Sequence, residues 1–120
     1  MARLLELSSF ADPRGSLTVI EKVLPFAIQR VYYIYNTNQL PRAGHAHLFG
    51  DQALVCLHKL CDVTIKTGQT VQTLRLSSPN QCLIIEAREW HELAFEPGAI
   101  VLVLASTHYN AKNYTAAIPK

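Results

Sequence analysis

Pro41-Arg42-Ala43-Gly44-His45-Ala46-His47-Leu48-Phe49-Gly50-Asp51-Gln52 is the stretch on which the reading of the chain turns. Two of the five histidines stand here, one residue apart. In extended backbone the side chains alternate between faces, so His45 and His47 point the same way. Two imidazoles side by side can hold a metal ion, or they can divide acid and base work on one substrate. A pair of histidines solvated on a sheet edge is the plainer alternative, and the neighbouring sequence has to decide. Ala46 faces the other side, and Gly44 lets the chain enter the strand in a backbone geometry that other residues resist.

Outward from this stretch, period two dominates in both directions. On the N-terminal side, Asp12-Pro13-Arg14-Gly15 is a turn leading into a β-branched segment from Ser16 to Glu21. Gln29 to Tyr35 is dense in aromatic and β-branched residues and predicts another strand. On the C-terminal side, the continuously apolar Ala53 to Leu57 predicts a strand covered on both faces. Cys61 to Lys66 alternates cleanly and turns through Thr67-Gly68-Gln69 into Val71 to Leu76, where a phase shift between Val71 and Leu74 predicts a bulge. Gln81 to Ile85, Trp90 to Phe95 and Ala99 to Ala105 complete the set, and the segment from His108 to Lys120 reads as a strand, a short helix or loose chain. No window longer than about ten residues keeps a convincing helical stripe. About nine short strands with turn residues between them mean an all-β sandwich or barrel.

Composition sets the class. The 120 residues make one domain, long enough to bury about two-thirds of its unfolded surface. Apolar residues are 49% and charged ones 17%, which describes a globular chain. The net charge of +2, with no basic cluster, argues against a nucleic-acid partner. Cys56, Cys61 and Cys82 lie in apolar runs and read as small core hydrophobes in a reducing compartment. Neither a signal peptide nor a run of membrane-spanning length is present, so the expected setting is the cytoplasm, with no membrane partner.

Within Trp90-His91-Glu92-Leu93-Ala94-Phe95, His91 shares its face with Leu93 and Phe95 and should look inward. One inward histidine is usually a hydrogen-bonded core residue, but a packed core rarely takes three imidazoles. Tyr32 and Tyr33 face opposite sides, and alternation alone does not say which of them turns inward.

A small all-β barrel with His-x-His on an early strand, an acid soon after and one more histidine on a late strand resembles the cupin superfamily. The resemblance carries Asp51 where Glu is usual, after three intervening residues from His47, and His91 as the late histidine. Six segments narrow it further: Asp12 to Leu17, Arg30 to Ile34, Pro41-Arg42 with Gly44 to His47, Leu54 to Leu57, Trp90-His91-Glu92 and Val103 to Ser106. In this order they resemble the WxcM-like nucleotide-sugar 3,4-ketoisomerases over about residues 10 to 115.

The resemblance implies a single cupin jelly-roll β-barrel over residues 1–120, related domains being also found fused to acetyltransferases. It implies an isomerase that moves the keto group of dTDP-4-keto-6-deoxyglucose from C4 to C3, feeding 3-amino-3,6-dideoxy sugars of lipopolysaccharide and O-antigen. The chemistry needs a base near neutral pKa, a carrier of hydroxyl protons and donors for the developing oxyanion. His45 is the candidate base, His47 its partner or oxygen donor, and Tyr32 the proton carrier. Arg14 and Arg42, on stiff loops beside prolines, suit a diphosphate, and His91 and Trp90 are further substrate-binding candidates. Arg14 with His91 resembles the branch giving the galacto-configured product. No metal and no cofactor is implied, and a homodimer is expected. Two rival readings stand beside this one. The first is a metal-dependent cupin using His45, His47, His91 and Asp51; the second is a sugar-binding cupin without activity.

Overall fold

The computed structural model describes residues 1–119. Segments where β-branched and aromatic residues alternate form strands, because each can bury one row of side chains and solvate the other. In chain order these are β1 (Arg3–Glu6), β2 (Ser8–Asp12), β3 (Gly15–Val19), β4 (Arg30–Ile34), β5 (Arg42–His47) and β6 (Gln52–His58). They continue as β7 (Cys61–Thr67), β8 (Thr70–Leu76), β9 (Gln81–Ile85), β10 (Trp90–Phe95), β11 (Ile100–Ala105) and β12 (Tyr114–Thr115). A single 3-10 turn at Ala111–Asn113 precedes β12, and no α-helix occurs among the described residues. No described helix is therefore long and apolar enough to cross a membrane.

Two antiparallel five-stranded sheets face each other, in the orders β1-β9-β6-β11-β4 and β12-β5-β10-β7-β8. The all-β jelly-roll barrel expected from the sequence is what forms. Leu54, Cys56, Leu83, Ile85, Val101 and Val103 of the first sheet meet Cys61, Val63, Ile65, Leu93 and Phe95 of the second. Each large apolar side chain fully buried there contributes about 1.5–3 kcal/mol. The first sheet is also covered on its outer face, where Ala53, Val55, Ile84 and Leu104 lie under Leu5, Ile20, Leu24 and Phe26. The unbroken apolar run of β6 follows from this double cover, although Leu57 at its end is exposed. Cys56, Cys61 and Cys82 are buried free thiols packed among these residues.

β2 and β3 stand apart. They pair only with each other, from Ser8↔Val19 to Asp12↔Gly15, as a hairpin whose tip is Pro13-Arg14.

The structure departs from the sequence reading in one expectation and adds to it in two places. Strands β1 and β2 were not foreseen, because both are short and carry no clear alternation. The bulge expected between Val71 and Leu74 is absent, since β7 and β8 pair without a break from Cys61↔Leu76 to Thr67↔Thr70. Gln72, Leu74 and Leu76 share the better-buried face, while Val71 points to solvent at 64% exposure, so the apparent phase shift is one outward valine. The segment after His108, left open by the sequence, holds the 3-10 turn and then β12, with Lys120 lying outside the described residues. Asn113 is buried, its side chain accepting from Phe49 N at 2.8 Å and donating to Phe49 O at 2.9 Å, which ties β12 to β5.

Candidate active site

The site begins with an irregularity in β5. Along β10, His91 pairs with His45 but Glu92 pairs with Ala43, so Gly44 is an extra residue bulged out of the ladder. Gly44 has φ +70 and Ala43 φ +68, a left-handed pair that glycine eases at one of the two positions. Beyond the bulge, His45 and His47 alternate with the fully buried Ala46, and both face inward. Leu93, itself inward, pairs with Arg42, so Arg42 returns to the histidine side.

His91 enters from β10, giving three imidazoles around one point. Ring centroids are 5.1 Å apart for His45–His47 and for His45–His91, and 5.4 Å for the stacked His47–His91 pair. The opposite sheet supplies Arg30 and Tyr32 from β4 and Gln52 from the start of β6. Tyr32 pairs with Val103 of the core, which settles the tyrosine left open by alternation: Tyr32 turns in, and Tyr33 is 64% exposed. The walls enclose a cavity of ≈ 400 Å³ lined by Arg30, Tyr32, Arg42, His45, Gln52 and His91, among others.

Hydrogen bonds fix two of the rings. His91 Nδ1 lies 3.1 Å from the Glu89 carbonyl, which only accepts, so Nδ1 carries the proton and Nε2 keeps a free lone pair. His47 Nε2 lies 3.2 Å from the Gln52 amide nitrogen, which only donates, so Nε2 is the acceptor there.

Burial sets the charge state. Desolvation, with His91, His45 and Arg30 nearby, holds His47 down to about 3. Burial brings His91 to about 4. His45, half-buried, is lowered by burial as well. All three rings are therefore neutral bases at neutral pH. Burial pushes the Tyr32 phenol up, against the Arg30 charge and the Gln52 hydrogen bond, so it stays protonated and able to donate. The Arg30 guanidinium lies over the Tyr32 ring at 4.4 Å.

The ring nitrogens of the three histidines lie within 4.8 Å of one another. The carboxylate of a four-ligand metal set is nevertheless not in place. Asp51, the acid proposed for that role, accepts from Ala87 N at 3.0 Å and braces a loop. Gln52, one residue on, points into the cluster instead, and its N–H caps the lone pair on His47 Nε2. These residues do not fit a three-histidine, one-carboxylate metal site.

Two proposed site residues lie elsewhere. Trp90 alternates with His91 and lies on the outer face, with its Nε1–H donating to the Ala116 carbonyl at 3.2 Å and Lys66 Nζ 4.9 Å above the ring. It stacks on no cavity wall. Arg14 sits at the hairpin tip, bound to Asp12 and exposed, outside the cavity of its own chain. Conversely, sequence reasoning passed over Gln52, Arg30 and Tyr114. Tyr114 packs against His45 at 4.9 Å and His47 at 4.8 Å, and its hydroxyl accepts from Arg30 at 3.5 Å. Allowing four rather than three intervening residues after His47 would have found Gln52; no local signal marks Tyr114.

The family model described as FdtA, WxcM-like, C-terminal matches residues 1–118. The chain belongs to the WxcM-like 3,4-ketoisomerase family. A curated relative, the TDP-4-oxo-6-deoxy-alpha-D-glucose-3,4-oxoisomerase of Aneurinibacillus thermoaerophilus, is 39% identical over 116 residues, covering 93% of this chain and 84% of the relative. The crystal structure of a 3,4-ketoisomerase from Helicobacter canadensis superposes with a TM-score of 0.93 at 37% identity, covering 97% of this chain and 90% of that one. A variant of a sugar 3,4-ketoisomerase from Thermoanaerobacterium thermosaccharolyticum, solved with TDP-4-keto-6-deoxyglucose, gives 0.92 at 32% identity, covering 97% and 87%. Within the family fold, the imidazole cluster and Tyr32 share the cavity described above.

Proposed function

We propose that this chain converts dTDP-4-keto-6-deoxyglucose to the 3-keto isomer, with the sugar against the histidine cluster. The observation carrying this is a set of neutral imidazoles facing a protonated tyrosine across one cavity. His45 takes the proton from C3 while Tyr32 gives its hydroxyl proton to the C4 oxygen, leaving a C3=C4 enediol. Tyr32 then recovers a proton from the C3 hydroxyl as the C3 ketone forms, and the proton held by the imidazoles returns to C4. His47 and His91 keep His45 in place and share the transient charge. Arg42 lines both this cavity and a neighbouring one of ≈ 300 Å³, and a guanidinium there suits the diphosphate.

Arg14 joins this reading only through a second copy. The hairpin it caps leaves Phe10 and Leu17 opposite each other and exposed, at 64% and 59%. An isolated two-stranded hairpin is marginal in water. A homodimer in which each hairpin packs on its partner would cover that surface and carry Arg14 to the partner's cavity mouth. Arg14 with His91 supports the galacto-configured product. The three free buried thiols agree with a reducing cytoplasm.

Proton NMR with dTDP-4-keto-6-deoxyglucose in D2O, with and without EDTA, tests the reading. Deuterium at C4 of a new 3-keto sugar, unchanged by chelator, is the expected result, and the C4 coupling reports the epimer. Binding without exchange would leave a sugar-binding cupin and remove the roles given to His45 and Tyr32.

A further inference from the structure

Gln52 opens the central strand β6, paired with Ile85 on one side and Ala105 on the other, and is 5% exposed. Its place in the backbone leaves its side chain little freedom, and it spends its amide on the two polar groups of the site. The amide nitrogen is 3.2 Å from His47 Nε2, and the same side chain works on the Tyr32 phenol against the effect of burial. An amide nitrogen has no lone pair to offer, so it presents a hydrogen to the ring lone pair that a metal would need. A carboxylate at this position would do the opposite, accepting from His47 or binding a cation beside three imidazoles.

We propose that Gln52 is a positioning residue that keeps the three-histidine cluster an organic acid–base centre. It locks His47 in the tautomer with a bare Nε2 and denies the cluster its fourth metal ligand. The proposal rests on the isomerase reading only for its kinetic consequence; the tautomer and the metal affinity stand without it.

The first measurement needs no substitution. In long-range ¹H–¹⁵N spectra of the wild-type protein at neutral pH, His47 Nε2 should resonate as an unprotonated nitrogen and Nδ1 as protonated. A protonated Nε2 would overturn the proposal. The second measurement is titration of chelator-treated protein with Co²⁺, read by its visible absorption. Gln52→Glu should bind Co²⁺ at least about tenfold more tightly than the wild type, the scale on which such outer partners act on metal sites. Equal affinity in the two proteins, with both folded by thermal melting, would refute the claim that Gln52 withholds the fourth ligand. Gln52→Met, which fills the space without the amide, should give a mixture of His47 tautomers and a kcat lower by about tenfold, with KM within about twofold. An unaltered tautomer in Gln52→Met would show that the ring is fixed by something else. Loss of activity in every protein, the wild type included, would indict the isomerase reading and leave the spectra and the Co²⁺ titration to judge Gln52.

Discussion

Around the cavity several polar side chains find partners within the same chain: His91 with Glu89, His47 with Gln52, Arg30 with Tyr114. No buried side-chain nitrogen or oxygen among the described residues lacks a partner. The β2–β3 hairpin is built the other way round. Its apolar pair Phe10 and Leu17 faces solvent, and its side-chain polar contacts, Asp12 to Arg14 and Ser9 Oγ to Thr18 Oγ1 at 2.8 Å, stay within the hairpin. The cavity is finished by one chain, whereas the proposed dimer would finish the hairpin with another. On that proposal the motif Asp12-Pro13-Arg14-Gly15 would belong to an active site that its own chain does not bring near it.

The largest effect expected falls on the finished side of this contrast. His45→Asn should lower kcat by about a thousandfold, within the range for losing a general base, and abolish deuterium entry at C4. Tyr32→Phe keeps the ring under Arg30 but removes the hydroxyl, and should cost about a hundredfold in kcat, as for a lost oxyanion donor. Steady-state kinetics with unchanged circular dichroism would check both.

On the other side, Arg14→Ala should raise KM by about tenfold, the worth of one charge-assisted hydrogen bond, with a smaller change in kcat. Mixing this variant with His45→Asn and exchanging subunits separates the two arrangements. If Arg14 serves the partner's cavity, mixed dimers regain one intact site, on the order of a quarter of all sites. If it serves its own, mixing restores nothing. Kinetics below KM distinguish the outcomes.

The smallest effect is on stability and belongs to the cavity alone. His47 and His91 have folded-state values of about 3 and about 4, below the ordinary imidazole value of 6.5. Below pH 6.5 the unfolded chain therefore binds protons that the folded one refuses. Stability should be fully present above about pH 6.5 and fall as the pH drops toward 4, by up to about 1.4 kcal/mol per pH unit for each ring. Urea midpoints across this range measure the slope, and His91→Asn should make it shallower.

Much of this molecule could be read directly. The strands with clean alternation or strong apolar content, such as Cys61–Thr67 and Ile100–Ala105, were found within a residue or two, because their pattern is the pattern of what they bury. The strand carrying His45 and His47 was legible for the same reason, and so was the inward face of His91. What stayed hidden depends on distance or on neutrality. Tyr114 reaches the histidines only after the chain has returned past β11, and no local pattern carries that. Gln52 is uncharged, so it lacks the mark by which acids and bases announce themselves. Trp90 misled because an aromatic beside a site histidine invites a ligand, while its odd-even position sends it to the far face.

Gly44 has a consequence for counting. Arg42 and His45 are three residues apart, an odd interval that in a regular strand puts two side chains on opposite faces. The extra residue at Gly44 cancels one step, and the guanidinium ends on the imidazole side. The site's parity thus hangs on a residue with no side chain. A one-residue deletion here would alter no chemical group, yet it would turn Arg42 toward the outer face and leave the histidines where they are. The spacing between these residues is accordingly as much a part of the active site as the residues themselves.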